Sequence, residues 1–192
     1  MGMERNLVFI RHSQSQPETG LVAREWQLTA EGRRRSIPLA AQLAAYNLDV
    51  IVTSTERKAI ETGKLVSETL GILCRVEKNL HEHERETAPY FETKAEFQEA
   101  IGALLARPSE LVFGEETGHE ARKRFAIAVE SVMNANPQEN IGIVTHGTVL
   151  SLYVSHFTRK EIFTIWQGLG MPAIMAFSYP AMKLLAQVNE IA

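Results

Sequence analysis

Two stretches of the sequence each place a histidine directly after a run of apolar residues. They are Leu7-Val8-Phe9-Ile10-Arg11-His12 and Ile143-Val144-Thr145-His146. Such a run predicts a buried strand, and parallel strands present their carboxyl ends at one edge of a sheet, where open α/β folds bind ligands. We therefore expect His12 and His146 to meet, with Arg11 beside them. An imidazole can act as a nucleophile and a guanidinium can bind phosphate, so the group predicts phosphoryl chemistry.

Either histidine alone is also consistent with a core histidine that hydrogen-bonds a backbone carbonyl. The interpretation as a site gains from the pairing of the two strand ends. It also gains from Arg11, which is adjacent to the first histidine, and from Gly147, which follows the second and allows close approach.

The elements that must position these residues alternate between strands and helices. Runs rich in β-branched residues predict strands at 7–10, 49–54, 72–76 and 141–145, with a terminal hairpin at 173–179 and 182–188. Helical spacing predicts helices from 29 to 46 and at 55–70, 91–105, 115–135, 148–157 and 161–166. This order predicts one α/β domain over residues 1–192, a three-layer α/β/α arrangement with a mostly parallel central sheet.

Four local features lead to narrower expectations. Pro38 lies inside the first helical pattern and should kink or split that helix, because its ring displaces the carbonyl one turn back. Cys74 lies in an apolar run and is expected to be a buried, unreactive thiol. The polar stretch 13–27 is long for a connector and is expected to cover a site. A charged stretch follows at 80–90 and ends with Pro89-Tyr90.

The composition is typical of a globular domain. The 192 residues are 45% hydrophobic and 22% charged, and a formal net charge of -3 gives no sign of a nucleic-acid-binding surface. No apolar run approaches the roughly 18 residues that span a bilayer. The first residues lack a signal-peptide core and the pattern of a myristoylation site. We expect a cytoplasmic protein that binds neither nucleic acid nor membrane, and the sequence leaves its oligomeric state open.

Five short motifs, taken in order, resemble the histidine phosphatase superfamily, which includes the cofactor-dependent phosphoglycerate mutases. The stretch 11–15 is similar to the family's Arg-His-Gly signature, 28–32 to Leu-Thr-x-x-Gly, 54–62 to Ser-x-x-x-Arg-Ala-x-x-Thr, 80–82 to Leu-x-Glu and 145–147 to the second histidine turn. The resemblance implies a phosphoglycerate mutase-like fold. It also implies a metal-independent hydrolase of the histidine acid phosphatase type that needs no cofactor and acts on a small phosphate ester.

The resemblance implies a role for each matching residue. His12 attacks phosphorus in line and becomes a phosphohistidine, while His146 donates to the phosphoryl oxygens. Glu82 protonates the leaving alkoxide and later activates water, which at neutral pH requires a raised pKa. The implied phosphate-binding residues are Arg11, Lys58 and Ser15.

Several residues depart from the family pattern. Lys58 stands where the family has its second arginine, so the charge is kept but the two-pronged hydrogen bonding is lost. The neighbouring Arg57 could replace it only if the helix is irregular there. Ser13 replaces the usual glycine and Gln14 a common glutamate. Glu18 stands where the mutases often have asparagine, which disfavours a sugar-acid substrate.

The stretch 81–84, His-Glu-His-Glu, leaves two alternatives open. Glu84 competes with Glu82 as the acid, although Glu82 fits the family spacing better. The alternating histidines could bind a metal, but no third ligand group lies nearby in the sequence, and we expect no metal. His83 and Arg85 lie where a substrate could contact them.

The sequence thus predicts a phosphatase that hydrolyses a phosphomonoester through a phosphohistidine. One alternative is mutase-type phosphotransfer, which the short chain and Glu18 disfavour. The other is a non-catalytic module that binds a phosphorylated ligand or partner, which the departures at Ser13 and Lys58 favour.

Overall fold

The fold is a six-stranded sheet with helices on both faces, seen in a computed structural model that describes residues 4–18, 20–88 and 91–192. The strands are β1 (Arg5–Arg11), β2 (Val50–Thr53), β3 (Leu73–Val76), β4 (Ile141–Thr145), β5 (Ala173–Tyr179) and β6 (Lys183–Val188). The helices are α1 (Ala30–Leu43), α2 (Arg57–Leu70), α3 (Lys94–Ala106), α4 (Gly118–Ala135), α5 (Gly147–Thr158) and α6 (Ile162–Gly168). Within these described ranges, no helix combines the length and the apolar character needed to cross a membrane.

The sheet is mixed, with the strand order β3-β2-β4-β1-β5-β6. The first four strands are parallel to one another, whereas β5 pairs antiparallel with both β1 and β6. This confirms the predicted α/β class and the predicted terminal hairpin. Because β1 and β4 are central neighbours, their carboxyl ends, and hence both histidine turns, lie side by side.

Side chains alternate along β1 and so serve both faces of the sheet. Leu7 and Phe9 belong to the core under α4 and α5, where Phe9 contacts the rings of Phe125 and Tyr153. Val8 and Ile10 belong to the core under α1 and α2. Burial on both faces is why β1 reads as a continuous apolar run.

Two features of local structure differ from what the sequence predicts. Pro38 does not split α1, which runs unbroken through it, and a kink at this position stays a prediction. The proline frees only the carbonyl of Arg34, an exposed residue, so water can take over that hydrogen bond. Cys74 is half-buried rather than buried, because β3 is the edge strand; partial burial raises the pKa of its thiol, in line with low reactivity.

Helices α3 and α4 begin three residues later than the periodicity predicts. Thr93 and Thr117 each form a capping box, with Glu96 and Glu120 respectively, and this fixes the first turn. The end of the predicted charged stretch, residues 89 and 90, lies outside the described residues.

Gly63 allows α2 to lie directly on β2. A Cβ at this position would lie 2.2 Å from Thr53 Cγ2 and 3.2 Å from Ile51 Cγ2. We expect Gly63→Ala to lower the free energy of unfolding by about 1–3 kcal/mol, since overpacking outweighs the better helix propensity of alanine. Denaturant titration would measure this. Gly102→Ala in α3 is the control, because its Cβ would only touch the Phe163 ring at 3.4 Å. Equal midpoints for the two variants would contradict the prediction.

Candidate active site

The ends of β1 and β4 bring the two histidines together. His12 N donates to the carbonyl of Thr145 at 3.0 Å, which extends the pairing of the two strands by one residue. The ring centroids of His12 and His146 are 5.2 Å apart, and both side chains are buried. The juxtaposition predicted from the strand ends is therefore present.

The hydrogen bonding of His12 fixes its tautomer. Nδ1 lies 2.7 Å from the carbonyl oxygen of Ser13, and a carbonyl can only accept, so Nδ1 carries the proton. This leaves a lone pair on Nε2. Burial, followed by the charges of His146, Lys58 and Arg11, lowers the pKa of His12 well below its usual value. At neutral pH the ring is therefore an uncharged imidazole, the form that a nucleophile needs.

Ser13 takes part in holding the turn after β1 in place. Its backbone N–H donates to Thr62 Oγ1 at 3.0 Å, and its hydroxyl donates to the Gly32 carbonyl at 2.7 Å. A Cβ on Gly32 would lie 2.1 Å from the Gln14 carbonyl oxygen. The serine therefore ties the turn to α1 and α2, which accounts for its presence in place of glycine.

His146 presents one nitrogen to the protein and leaves the other free. Nε2 lies 2.6 Å from Ser54 Oγ. Nδ1 is buried and has no hydrogen-bond partner within the described ranges. Burial lowers the pKa of His146 to about 4, although the charge of Glu56 acts in the opposite direction.

Arg11 lies across the glycine that starts α5. Its Nη1 donates to the Leu169 carbonyl, and a Cβ on Gly147 would lie 3.0 Å from its Cζ. Its Nε is buried and finds no acceptor among the residues that the structure describes. Burial lowers the pKa of Arg11 to about 10, so the guanidinium stays charged at neutral pH.

The carboxylate of Glu82 caps α5. It accepts hydrogen bonds from the backbone N–H groups of Thr148 at 3.0 Å and Val149 at 2.9 Å, and from its neighbour His83 at 2.9 Å. The competing Glu84 is exposed, and its Oε1 lies 3.0 Å from His81 Nε2. Of the two carboxylates, Glu82 is therefore the one that lies beside the histidines.

The expectation that the pKa of Glu82 is raised is wrong for this arrangement. Burial does raise it, and is the largest single influence. The charges of Arg85 and His146, together with the N–H groups of Thr148 and His83, lower it by more, so the net pKa lies well below the usual value. Glu82 is thus a carboxylate at neutral pH, stabilised by the N-terminus of a helix.

Of the two candidate cations of α2, Lys58 is buried beside Glu56, whereas Arg57 is exposed. Lys58 Nζ donates to Glu56 Oε2 and to the Ala23 carbonyl, each at 2.6 Å, and lies 5.7 Å from the centre of the Trp26 ring. The lysine thereby fastens the stretch 13–27 over the end of α2.

Glu56 is a site residue that the sequence analysis missed. Its Oε1 accepts from the backbone N–H of Glu82 at 2.8 Å and lies 3.4 Å from His146 Nε2. Burial raises the pKa of Glu56, but the charges of His146 and Lys58 outweigh it and bring the pKa to about 2. The sequence did offer one sign that Glu56 belongs to the site: it is an acidic residue inside the 54–62 motif, two positions before Lys58.

Two other sequence predictions concern Ser15 and a metal. Ser15 pairs with Leu28 in an isolated bridge, and in the described structure no side-chain hydrogen bond joins it to the residues above. The two histidines of the 81–84 stretch have different partners. His81 Nε2 lies 3.0 Å from Glu84 Oε1, and His83 Nε2 donates to the Glu116 carbonyl at 2.7 Å. Among residues 4–18, 20–88 and 91–192, no three His, Cys, Asp or Glu side chains are grouped to hold a metal ion.

A cleft of about 440 Å³ adjoins these residues through Glu56 and Glu82. It lies between the turn at 23–25 and the charged stretch 81–86. Arg85 also faces it, and the Nη1 of Arg85 is buried without a partner in the described part of the chain. The arrangement offers a neutral nucleophile, buried cationic donors and a carboxylate next to a space for a small ligand.

Comparison with known proteins is consistent with this chemistry. The model of the "Histidine phosphatase superfamily (branch 1)" matches residues 7–175. No curated protein sequence matches the chain.

Solved structures of similar fold include the following three. Each is less than 25% identical in sequence to this chain, so the similarity shows the fold alone. A protein described as mycobacterial hydrolase 1 has 21% identity and a TM-score of 0.75, covering 99% of this chain and 100% of its own. A mycobacterial glucosyl-3-phosphoglycerate phosphatase has 20% identity and a TM-score of 0.72, with coverages of 99% and 100%. A mutant phosphoserine phosphatase from Entamoeba histolytica, in complex with phosphoserine, has 16% identity and a TM-score of 0.74, with coverages of 96% and 97%.

Proposed function

The chain belongs to the histidine phosphatase superfamily, branch 1, and from this premise we propose that it hydrolyses a small phosphomonoester through a phosphohistidine formed at His12. The main supporting observation is a set of buried polar atoms without partners in the described structure, grouped around Gly147: Arg11 Nε, His146 Nδ1 and Thr148 Oγ1. A buried polar group left unpaired costs about 1–3 kcal/mol. A phosphoryl group, with its charged oxygens, would satisfy all three.

The first half of the reaction forms the phosphoenzyme. His12 Nε2 attacks phosphorus, the P–N bond forms, and the ester P–O bond breaks with its electron pair going to the alkoxide. Arg11 and His146 donate to the phosphoryl oxygens, where negative charge must be neutralised. His146 can donate from Nδ1 when Ser54 Oγ donates to its Nε2.

The leaving alkoxide needs a proton that Glu82 does not hold beforehand, because its carboxylate is ionised. A phosphomonoester with a second pKa of about 6 can bring that proton as its monoanion. This proton passes to Glu82 as the phosphate enters, and the protonated carboxyl group then acts as the general acid. In the second half, Glu82 accepts a proton from water, the water oxygen attacks phosphorus, and the P–N bond breaks to restore His12. The proton on Glu82 then passes to the orthophosphate, which leaves as the monoanion and returns Glu82 to the carboxylate.

This proton balance predicts an acidic pH optimum. A nucleophile that must be neutral is active above its pKa, and the pKa of His12 is lowered, so kcat/KM should hold at a pH low enough to protonate an ordinary histidine. Above pH 6 it should fall by up to tenfold per unit as the substrate monoanion is lost. An alkyl phosphate assayed between pH 4 and 9 would show this. A reactive aryl phosphate is the control and should fall less at high pH. A flat profile for the alkyl ester would contradict the mechanism.

The test of the function is to trap the intermediate. The protein is mixed with a substrate labelled at phosphorus, quenched and digested, and the acid-labile label is mapped to a peptide. We expect it on the peptide with His12, and none in His12→Asn. A module that only binds phosphorylated ligands would give no label in either protein. A mutase would pass the label to an isomer of the substrate, whereas the proposed phosphatase releases it as orthophosphate.

Two observations support a substrate class: the size of the cleft and the names of the phosphatases that share the fold. A space of about 440 Å³ suits a small ester. The two similar structures named as phosphatases carry the names of small phosphate esters, phosphoserine and glucosyl-3-phosphoglycerate. We propose a partner of the same kind, a small-molecule phosphate ester, for this chain.

A further inference from the structure

We propose that Arg85 is the second cation that binds the phosphoryl group, in the role that the family pattern gives to position 58. Lys58 then serves as a structural cation. The proposal rests on the proposed function in so far as the ligand is a phosphoryl group. It assigns phosphate binding to a residue of the charged stretch rather than of α2.

The first step is that Lys58 is already engaged. Its ammonium and the Glu56 carboxylate form an ion pair at 2.6 Å, and both side chains are buried. A second donor of Nζ is used by the Ala23 carbonyl, also at 2.6 Å. A cation neutralised at this distance attracts an incoming anion far less than a free one. Lys58 could serve phosphate fully only by leaving Glu56 buried without its partner, which is costly.

Arg85, in contrast, is a cation without a carboxylate partner among the described residues. It lines the cleft, and its Nη1 is buried without a hydrogen bond. Its guanidinium lies over the Phe97 ring, with Cζ 5.1 Å from the ring centre. A cation–π contact of this kind stabilises the cation without using its N–H donors, which stay available for a phosphate.

The other arginine that lines the cleft, Arg24, does form a salt bridge with a carboxylate of the charged stretch. Its partner is Glu86, and the Arg24 side chain is 58% exposed. Glu84, next to Arg85, instead pairs with His81. The two carboxylates that flank Arg85 in the sequence, Glu84 and Glu86, are thus paired with other residues.

Arg85 also lies near enough to the residues around His12 to affect their protonation. Its charge contributes to the lowered pKa of Arg11, of Glu82 and of His146. The positive charges of Arg11 and Arg85 therefore lie near the same carboxylate, that of Glu82, which partly balances both of them. An added phosphoryl group would balance this excess positive charge.

The stretch that carries Arg85 is held in place before any ligand binds. Arg124 donates to the carbonyls of Asn79, His81 and Glu82 and is itself paired with Glu116. Glu84 accepts from Glu115 N at 3.0 Å through its carbonyl. The backbone position of Arg85 is thereby fixed, so little ordering is needed on binding.

The experiment measures binding of inorganic phosphate to the full chain by calorimetry and by competitive inhibition of turnover. Arg85→Met keeps the apolar contact with Phe97 and removes the charge. We expect its phosphate Kd to rise roughly 30- to 100-fold, the range for losing a hydrogen-bonded charge partner. Arg85→Lys should recover only part of this, because the planar group is lost. The matched control, Arg107→Met, removes an exposed arginine that is paired with Glu110 and does not line the cleft, and it should change Kd by less than about threefold.

Lys58→Met separates the two assignments. We expect it to lower the melting temperature, since Glu56 loses its partner, and to raise the phosphate Kd by less than Arg85→Met does. The proposal is overturned if Arg85→Met binds phosphate like the unaltered protein while Lys58→Met loses binding. Failure of the proposed function would differ: phosphate would still bind through Arg85, but no phosphohistidine would form.

Discussion

Replacing His12 by alanine is expected to reduce kcat/KM for an aryl phosphate by roughly 10⁴-fold or more, the scale seen when an enzymatic nucleophile is removed. The reason is that no other described side chain around the site combines a neutral nitrogen lone pair with the position at the end of β1. His146 is the nearest imidazole, but its Nε2 is already engaged with Ser54. Steady-state kinetics at pH 5 to 6 provides the measurement.

The matched control for this variant is His156→Ala. His156 is exposed on α5, so its loss should leave kcat/KM unchanged within about twofold. The His12→Ala protein should still bind inorganic phosphate, because Arg11 and His146 remain. Retention of turnover in a folded His12→Ala protein would rule out the phosphohistidine route. Loss of both turnover and phosphate binding would point instead to a collapsed site.

The parts of this molecule that could be predicted from sequence are those set by local pattern. The apolar runs of β1 and β4 and the histidines that follow them define where the site lies. The capping boxes at Thr93 and Thr117 were also readable, since each threonine is followed three residues later by glutamate. Periodicity alone placed these two helix starts three residues too early, because it does not mark the capping residue at which a helix begins.

The parts that could not be predicted depend on contacts between distant segments. The low pKa of Glu82 results first from the charges of Arg85 and His146 and then from the N–H groups of Thr148 and His83, and none of these four residues belongs to the family motif Leu-x-Glu. The engagement of Lys58 results from Glu56 and from the Ala23 carbonyl, a contact between α2 and the covering stretch 13–27. Sequence spacing favoured Lys58 over Arg57 as the phosphate-binding cation, and Lys58 is the buried one of the two, but the spacing could not show that its charge is already balanced by Glu56.

Gly147→Ala is expected to lower kcat/KM by on the order of tenfold while the fold stays intact. Alanine fits the backbone at the first position of α5, where the conformation is not left-handed. Its Cβ, however, would lie 3.0 Å from Arg11 Cζ and 3.1 Å from Arg11 Nε. The guanidinium must therefore move away, and Nε is the donor that we assign to the phosphoryl group. The contacts of 3.0 to 3.3 Å require a shift of a few tenths of an ångström. A displacement of about 1 Å at a transition state can cost roughly 10²-fold in rate, so a shift of this size is expected to cost on the order of tenfold.

Two comparisons establish whether this loss acts through Arg11. Gly102→Ala adds a Cβ to a helix away from the site and should leave kcat/KM unchanged. In an Arg11→Ala background, the further change Gly147→Ala should have almost no effect, because the group it displaces is gone and the two losses are not additive. Additive losses would show that Gly147 acts on another part of the site, such as the Glu82 cap of α5. Unchanged kcat/KM in Gly147→Ala alone would show that the position of the Arg11 guanidinium does not limit catalysis, and would weaken its assignment as a phosphate ligand.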